Sequence, residues 1–324
     1  MGNPENLKRA GYTDGVSGNI AYEPEFECTG GSLDPKDRQC AYETSESHTM
    51  GLETTGWDGR IMHLNMPSFR DPLCPRTLKY LFTKAKRPEA IRVRVLQQNM
   101  VDDVNCLEKY CEMMAELRKE TGGGDTSKGG PAGDDCPHRD QIFIHPISAK
   151  DAAGPTYARG LIGQDMHAAY LKKEISPQDF CMSTDSHMDF EPEWDDKMVK
   201  MWDQAKNEYA VLSTYVANID QLGKNLNGVH EVPHLCMVTF TSQVRTTATK
   251  CARNLSKPKL TNAVWGAGLS FSKCHAELKV PVDTHTPGIF DGEEFNRAAR
   301  FFTYGYDVYT PNRVCKSKLI SFVC

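Results

Sequence analysis

The chain has 324 residues, 39% hydrophobic and 25% charged, a balance that describes a folded protein rather than a disordered one. Lys plus Arg total 38 against 43 Asp plus Glu, for a net charge of -5, so there is no broad basic surface and nucleic acid is excluded as the main partner. No apolar run reaches the length of a transmembrane segment, and the polar stretch Met1 to Arg9 lacks the apolar centre of a signal peptide.

Residues 1–56 are rich in Gly, Ser, Thr, Glu and Asp without periodicity and read as a poorly ordered lead-in. Residues 57–324 read as a single domain. Ile61 to Met66 predicts a strand stopped by Pro67-Ser68, and Leu73 to Lys86 carries helical spacing through Leu78, Leu81, Phe82 and Ala85. Ile91 to Leu96 alternates strictly, as a second strand does. Cys106 to Glu120 predicts a charged amphipathic helix with Leu107, Tyr110, Met114 and Leu117 on one side. Residues 121–139 hold Gly122-Gly123-Gly124 and Gly129-Gly130-Pro131 without the Gly-Lys-Ser/Thr of a phosphate loop, and read as a flexible insert.

Beyond the insert, Gln141 to Pro146 predicts a third strand. A helix opens at Gly154 or Pro155 and runs to Lys173, and Phe180 to Thr184 is a fourth strand ending in Asp185-Ser186-His187. Strands alternating with helices predict an α/β protein with a mostly parallel central sheet flanked by helices. In such sheets ligands collect beyond the carboxyl ends of the strands. Three polar clusters fall at those ends: Ser68-Phe69-Arg70-Asp71, Gln97-Gln98-Asn99 and Asp185-Ser186-His187.

The 12 cysteines show no tandem CxxC framework. Cys106-x4-Cys111 with Cys136-Pro137-His138 matches no standard zinc template, and free thiols are the reading, although an even count also permits disulfides in an oxidising lumen. Asp185 and His187 are alternate residues past a strand, which aims both side chains to one side. A carboxylate and an imidazole suit Mn2+ or another divalent cation. Taken alone, the triplet reads as a capped turn beside a hydrogen-bonded histidine.

The context that turns it into a metal site is a resemblance. IMHLNMPSFRDPLCPRTLKYLFTKAKRPEAIRVRVLQQN at Ile61 to Asn99 resembles the opening of the GlcNAc-transferases of glycosyltransferase family sixty. The likeness continues through Ala153 to Arg159, Phe180 to Trp194 (FCMSTDSHMDFEPEW), Trp265 to Ser272 (WGAGLSFS) and Val282 to Pro311. It implies a GT-A-like nucleotide-sugar-binding fold, a UDP-sugar donor, a protein acceptor (hydroxyproline, Ser or Thr) and an α-linked, retained product.

Carried onto this sequence, the resemblance makes Asp185 and His187 the metal ligands, with Mn2+ the expected ion. Pro67, Ser68, Arg70 and Asp71 border the uridine, Gln97 and Gln98 close the second strand, and Ser186 and Arg159 belong to the donor side. Asp291-Gly292-Glu293-Glu294 matches the acceptor-side motif, so Glu293 and Glu294 join Asp185 as the catalytic set. Trp265 and His285 are the sugar or acceptor contacts. The third metal ligand of related transferases, a histidine beyond Gly305-Tyr306-Asp307, is absent from Asn312 to Lys318; truncation, a replaced ligand (His285, or less suitably the soft Cys315) and weakened metal binding are the alternatives.

The resulting expectation is metal-assisted transfer of N-acetylglucosamine from UDP-GlcNAc to a protein hydroxyl. A catalytically impaired relative acting as a binding module is the second reading, and a phosphohydrolase, lacking a second Asp/His cluster, is a distant third. The chain reads as cytoplasmic, or as resident in the Golgi lumen if a membrane anchor precedes it.

Overall fold

Three strands from the first part of the chain are buried along nearly their whole length, on both faces, and these set the architecture. The computed structural model describes residues 57, 59–120, 136–218, 231–235, 237–240, 244–247, 250–261, 264–313 and 316–318. The lead-in 1–56 and positions 121–135 of the Gly-rich insert lie outside the described residues. The strands are β1 (Met62–Phe69), β2 (Ile91–Asn99), β3 (Ile142–Ser148), β4 (Phe180–Thr184), β5 (Met188–Phe190), β6 (Ala210–Ser213), β7 (Ala217–Asn218), β8 (Glu231–His234), β9 (Met237–Phe240), β10 (Val244–Thr247), β11 (Lys250–Arg253), β12 (Lys259–Leu260), β13 (Leu269–Lys273), β14 (Asp307–Thr310) and β15 (Lys316–Lys318). The helices are α1 (Cys74–Thr83), α2 (Cys106–Glu120), α3 (Pro155–Leu171), α4 (Trp194–Gln204), α5 (Cys274–Lys279) and α6 (Glu293–Thr303).

One large sheet runs β12-β14-β6-β13-β4-β1-β2-β3. β3, β2, β1 and β4 are mutually parallel, β6 and β14 share their direction, and β13 and β12 run against them. The result is a mixed α/β fold, with helices on both faces of a mostly parallel sheet. On one face Met62, Leu64, Val93, Val95, Met182 and Phe271 pack with Leu78 of α1, Tyr110 of α2 and Trp194 and Trp202 of α4. On the other, Leu96 meets Ala158 and Ile162 of α3, and Val211 meets Ala298 and Phe301 of α6.

Two boundaries differ from the sequence reading for a physical reason. β1 does not stop at Met66 but runs through Pro67 and Ser68 to Phe69, in register with Leu96, Gln97 and Gln98 of β2. The Ile61 carbonyl faces β4, so odd-numbered residues of β1 turn their backbone groups that way. Pairing with β4 ends at Asn65 opposite Ser183. Pro67 therefore withholds its missing N–H where there is no partner strand to need it. The second difference is the short antiparallel β13, inserted between β4 and β6 at the middle of the sheet.

Among the described residues six cysteines are paired, which corrects the reading of free thiols for these positions. Cys74–Cys106 joins the starts of α1 and α2, Cys111–Cys136 fastens α2 to the end of the Gly-rich stretch, and Cys181–Cys274 ties β4 to α5. The Cα separations of 5.5, 4.5 and 4.8 Å lie within bridging reach. Cys136 to Gln141 is anchored further by Tyr110 Oη donating to the Pro137 carbonyl (2.7 Å) and by His138 stacking on Phe82. No described helix is long and apolar enough to cross a membrane.

Lys273, at the end of β13, is 1% exposed. Its ammonium sits 4.6 Å from the Phe180 ring centroid and 5.1 Å from that of Trp202, and donates to the Gln178 carbonyl at 3.1 Å. Burial pushes it down to about 8 from its ordinary 10.5. Between those values the unfolded chain binds more protons than the folded one, so this group makes stability rise with pH from about 8 to 10.5. Lys273→Met should stabilise the chain at pH 7, by up to about 3 kcal/mol, and remove that part of the pH dependence. Thermal unfolding of both proteins across pH 7–10.5 checks this; a lower melting temperature with an unchanged pH slope would contradict it.

Candidate active site

Because β1, β2 and β4 are parallel, their carboxyl ends open on the same edge of the sheet. Asp71, Ser186 and His187 meet there. The Asp71 carboxylate accepts from Ser186 Oγ at 2.5 Å, His187 Nδ1 at 2.9 Å and the Leu73 backbone N–H at 2.9 Å. Burial works to raise the Asp71 carboxyl, but the hydrogen bonds from His187, Ser186 and Leu73 outweigh it and hold it below the usual range. From α1, Thr77 Oγ1 donates to the Ser186 carbonyl (2.7 Å) and accepts from the Met188 N–H (2.8 Å). The turn after β4 is thus gripped at its backbone as well as its side chains.

Asp185, first residue of that turn, has its own partner. Arg159 Nη2 lies 3.4 Å from Asp185 Oδ1, while Arg159 Nη1 donates to both oxygens of Glu293 at 2.9 Å. The Arg159 and Glu293 side chains are 8% and 6% exposed, and Asp185 retains 20%. Arg159 lies in the second turn of α3, which starts behind Gly154, and Glu293 opens α6 behind Gly292; both glycines have φ in the left-handed region, at 90° and 102°. A Cβ on Gly154 would also come within 3.3 Å of the Gly288 Cα. This close approach, with the Gly288 N–H donating to the Ala153 carbonyl at 2.7 Å, seats the segment before α6 against α3.

Glu294 turns toward the loop Trp265 to Gly268. It accepts from Tyr215 Oη at 2.5 Å and from the Ala267 N–H at 3.2 Å. Burial raises its carboxyl above the usual glutamate value, against the pull of those two donors. A Cβ on Gly268 would lie 3.7 Å from Asp185 Oδ2. Contacts thus run from Asp185 through Arg159 to Glu293, and from the adjacent Glu294 to Ala267, whose neighbour Gly268 lies beside Asp185.

The architecture and this site now stand beside known proteins. The model of the GlcNAc family, described as "Glycosyltransferase (GlcNAc)", matches residues 62–318. The chain belongs to that family. No curated protein matches it. Among solved structures it is similar to GalNAc-T7 with UDP, GalNAc and Mn2+, at 12% identity and a TM-score of 0.47, over 80% of this chain and 44% of that one. It is also similar to S. aureus TarS 1–349 in complex with UDP-GlcNAc, at 9% identity and a TM-score of 0.43, over 82% of this chain and 60% of that one. This family member spans less than two thirds of either.

Of the residues singled out in the sequence, Asp71, Ser186, His187, Asp185, Arg159, Glu293 and Glu294 fall into this network. Arg159, expected on the donor side, has its guanidinium between two carboxylates. Gln97 Oε1 accepts from the Cys106 N–H at 2.7 Å and so caps α2. The Arg70 fork pairs with Asp103 at 2.8 and 3.1 Å, while Ser68 and Gln98 are buried and Pro67 half-buried. Trp265 is 2% exposed, packed with Val211, Val280 and Phe301, and offers no face to a ligand. His285 is 93% exposed and bonds Asp283; it does not join Asp185 and His187, and no cluster of three or more His, Cys, Asp or Glu able to hold a metal occurs among the described residues.

Tyr215, Ala267, Gly268 and Thr77 were missed. Only the paired glycines of Trp265-Gly266-Ala267-Gly268 offered a signal, as a place of close backbone approach. Gly266 is closely packed: a Cβ would stand 3.0 Å from Leu235 and 3.1 Å from Tyr215, so these side chains would have to shift.

A buried ion pair stripped of one partner leaves an uncompensated charge. Arg159→Ala is expected to cost about 3–5 kcal/mol of stability by denaturant unfolding. The apolar double variant Arg159→Met with Glu293→Leu should recover most of that loss. If Arg159→Ala is as stable as the parent, the pair does not hold α3 to α6.

Proposed function

We propose that the chain is a retaining glycosyltransferase that moves N-acetylglucosamine from UDP-GlcNAc to a hydroxyl of a protein, at hydroxyproline, Ser or Thr. Family membership supports the sugar-transferase class, and the resemblance of the Asp185 and Asp291 blocks supports the donor, acceptor and stereochemistry. The single observation that carries the reading is the pair Asp185 and His187 at the carboxyl end of β4. Arg159 holds the first and Asp71 the second, and both remain partly exposed, at 20% and 24%.

That pair fits a divalent cation such as Mn2+. Asp185 Oδ2 and His187 Nε2 have no hydrogen-bond partner among the described residues, and these two atoms would hold such an ion. The chemistry supplied at that position is Lewis-acid neutralisation of the charge that develops on the departing diphosphate. Asp185 and His187 orient the diphosphate end of the donor. Arg159, itself held by both oxygens of Glu293, keeps Asp185 in place. With retention, the departing phosphate oxygen can accept the proton of the incoming hydroxyl on the same face, so no protein base is required. Glu294, fixed by Tyr215 and Ala267, lies on the side of the acceptor motif, where it would orient a sugar or acceptor hydroxyl.

The three disulfides support an oxidising compartment, which favours the Golgi lumen over the cytoplasm for this enzyme.

Donor hydrolysis tests the proposal, with UDP-GlcNAc, UDP-GalNAc and UDP-Gal each supplied with and without Mn2+. UDP release should be greatest with UDP-GlcNAc, should depend on Mn2+, and should fall by at least about a hundredfold in Asp185→Asn, on the order of the loss of one strong transition-state contact. A fully active Asp185→Asn removes the metal assignment. No turnover with any donor, in a folded protein, points instead to an impaired relative that binds without transferring.

A further inference from the structure

Sequence reasoning placed Asp71 beside the uridine. The structure spends it elsewhere. Its side chain is 12% exposed, and three donors converge on it: the Leu73 N–H on Oδ1, and Ser186 Oγ and His187 Nδ1 on Oδ2. A carboxylate has about four acceptor positions, so little is left for a ribose or a base. Two of the three donors belong to the turn that carries the proposed metal ligands.

The consequence falls on the His187 ring. An ionised carboxylate can only accept, so the contact at 2.9 Å requires the proton to sit on Nδ1. Neutral imidazole then carries its lone pair on Nε2, the nitrogen that has no partner among the described residues. Thr77 of α1 adds to this by holding the Ser186 carbonyl and the Met188 N–H, so that the backbone on each side of His187 is fixed while Asp71 fixes the direction of its ring.

We propose that Asp71 is the positioning residue for His187: it selects the Nδ1–H tautomer and turns Nε2 outward as the nitrogen donor to the cation. This rests on the reading of Asp185 and His187 as a divalent-metal pair. A carboxylate behind a ligating histidine raises its basicity and locks its orientation, and removal of such a partner typically costs 10- to 100-fold in metal affinity.

The test is Mn2+ titration with UDP present, following free Mn2+ by electron paramagnetic resonance, alongside calorimetric UDP binding without metal. Asp71→Asn should weaken Mn2+ by roughly 10- to 100-fold and leave metal-free UDP affinity unchanged. In a His187→Ala background, the same Asp71→Asn change should have no further effect on Mn2+, because its whole action passes through the imidazole. That second pair of variants also separates positioning from general damage to the turn, which would weaken Mn2+ again in the His187→Ala background.

Three results overturn the proposal: Mn2+ affinity of Asp71→Asn equal to that of the parent, a fall in metal-free UDP affinity (the mark of a direct uridine contact), or additive losses in the double variant. Absence of Mn2+ binding by the parent protein would instead remove the metal reading on which the proposal rests.

Discussion

The arrangement of the site depends on one buried cation. The Arg159 guanidinium stands between Asp185, at the end of β4, and Glu293, at the start of α6. Two carboxylates that share this one partner would repel each other without the cation between them. With the guanidinium between them, three elements distant in sequence share one charge balance. The α3 helix brings the cation, the turn after β4 brings one carboxylate, and α6 brings the other. Glu294, next along α6, is thereby delivered to Tyr215 and to the Trp265 to Gly268 loop.

A second constraint acts on the opposite flank of the same turn. α1 begins directly after β1 and is stapled to α2 by Cys74–Cys106. From the connection before it comes Asp71 and from its first turn Thr77, which together hold Ser186, His187 and Met188. Below the turn, Cys181–Cys274 ties β4 to α5. The strand bearing Asp185 is therefore fixed at both ends by contacts made before any ligand arrives, the kind of preorganisation that electrostatic catalysis needs.

Much of the first half of the fold was legible in the sequence because its periodicities are unambiguous. Ile91 to Leu96 alternates, Cys106 to Glu120 repeats at helical spacing, and Phe180 to Thr184 ends in a polar turn; each becomes the element it predicts. The position of Asp185 and His187 beyond a parallel strand follows from those elements. The second half was less legible. β12, β13 and β14 are only two to five residues long, too short for a period to declare itself, and the reversed direction of β13 is set by packing between β4 and β6. The role of Arg159 could not be read from a helix position, because its partners lie 26 and 134 residues away. The cysteine pairs were hidden for the same reason: Cys106 and Cys111 share a helix but bond to different elements.

The central claim is that Asp185 and His187, held from both sides, form a cation site that serves a nucleotide-sugar donor. Calorimetric titration of UDP into the purified chain, with and without Mn2+, tests it most directly. Binding that appears or tightens by an order of magnitude or more when Mn2+ is present is the predicted result. UDP binding of equal strength with and without the metal, or none under either condition, would contradict it.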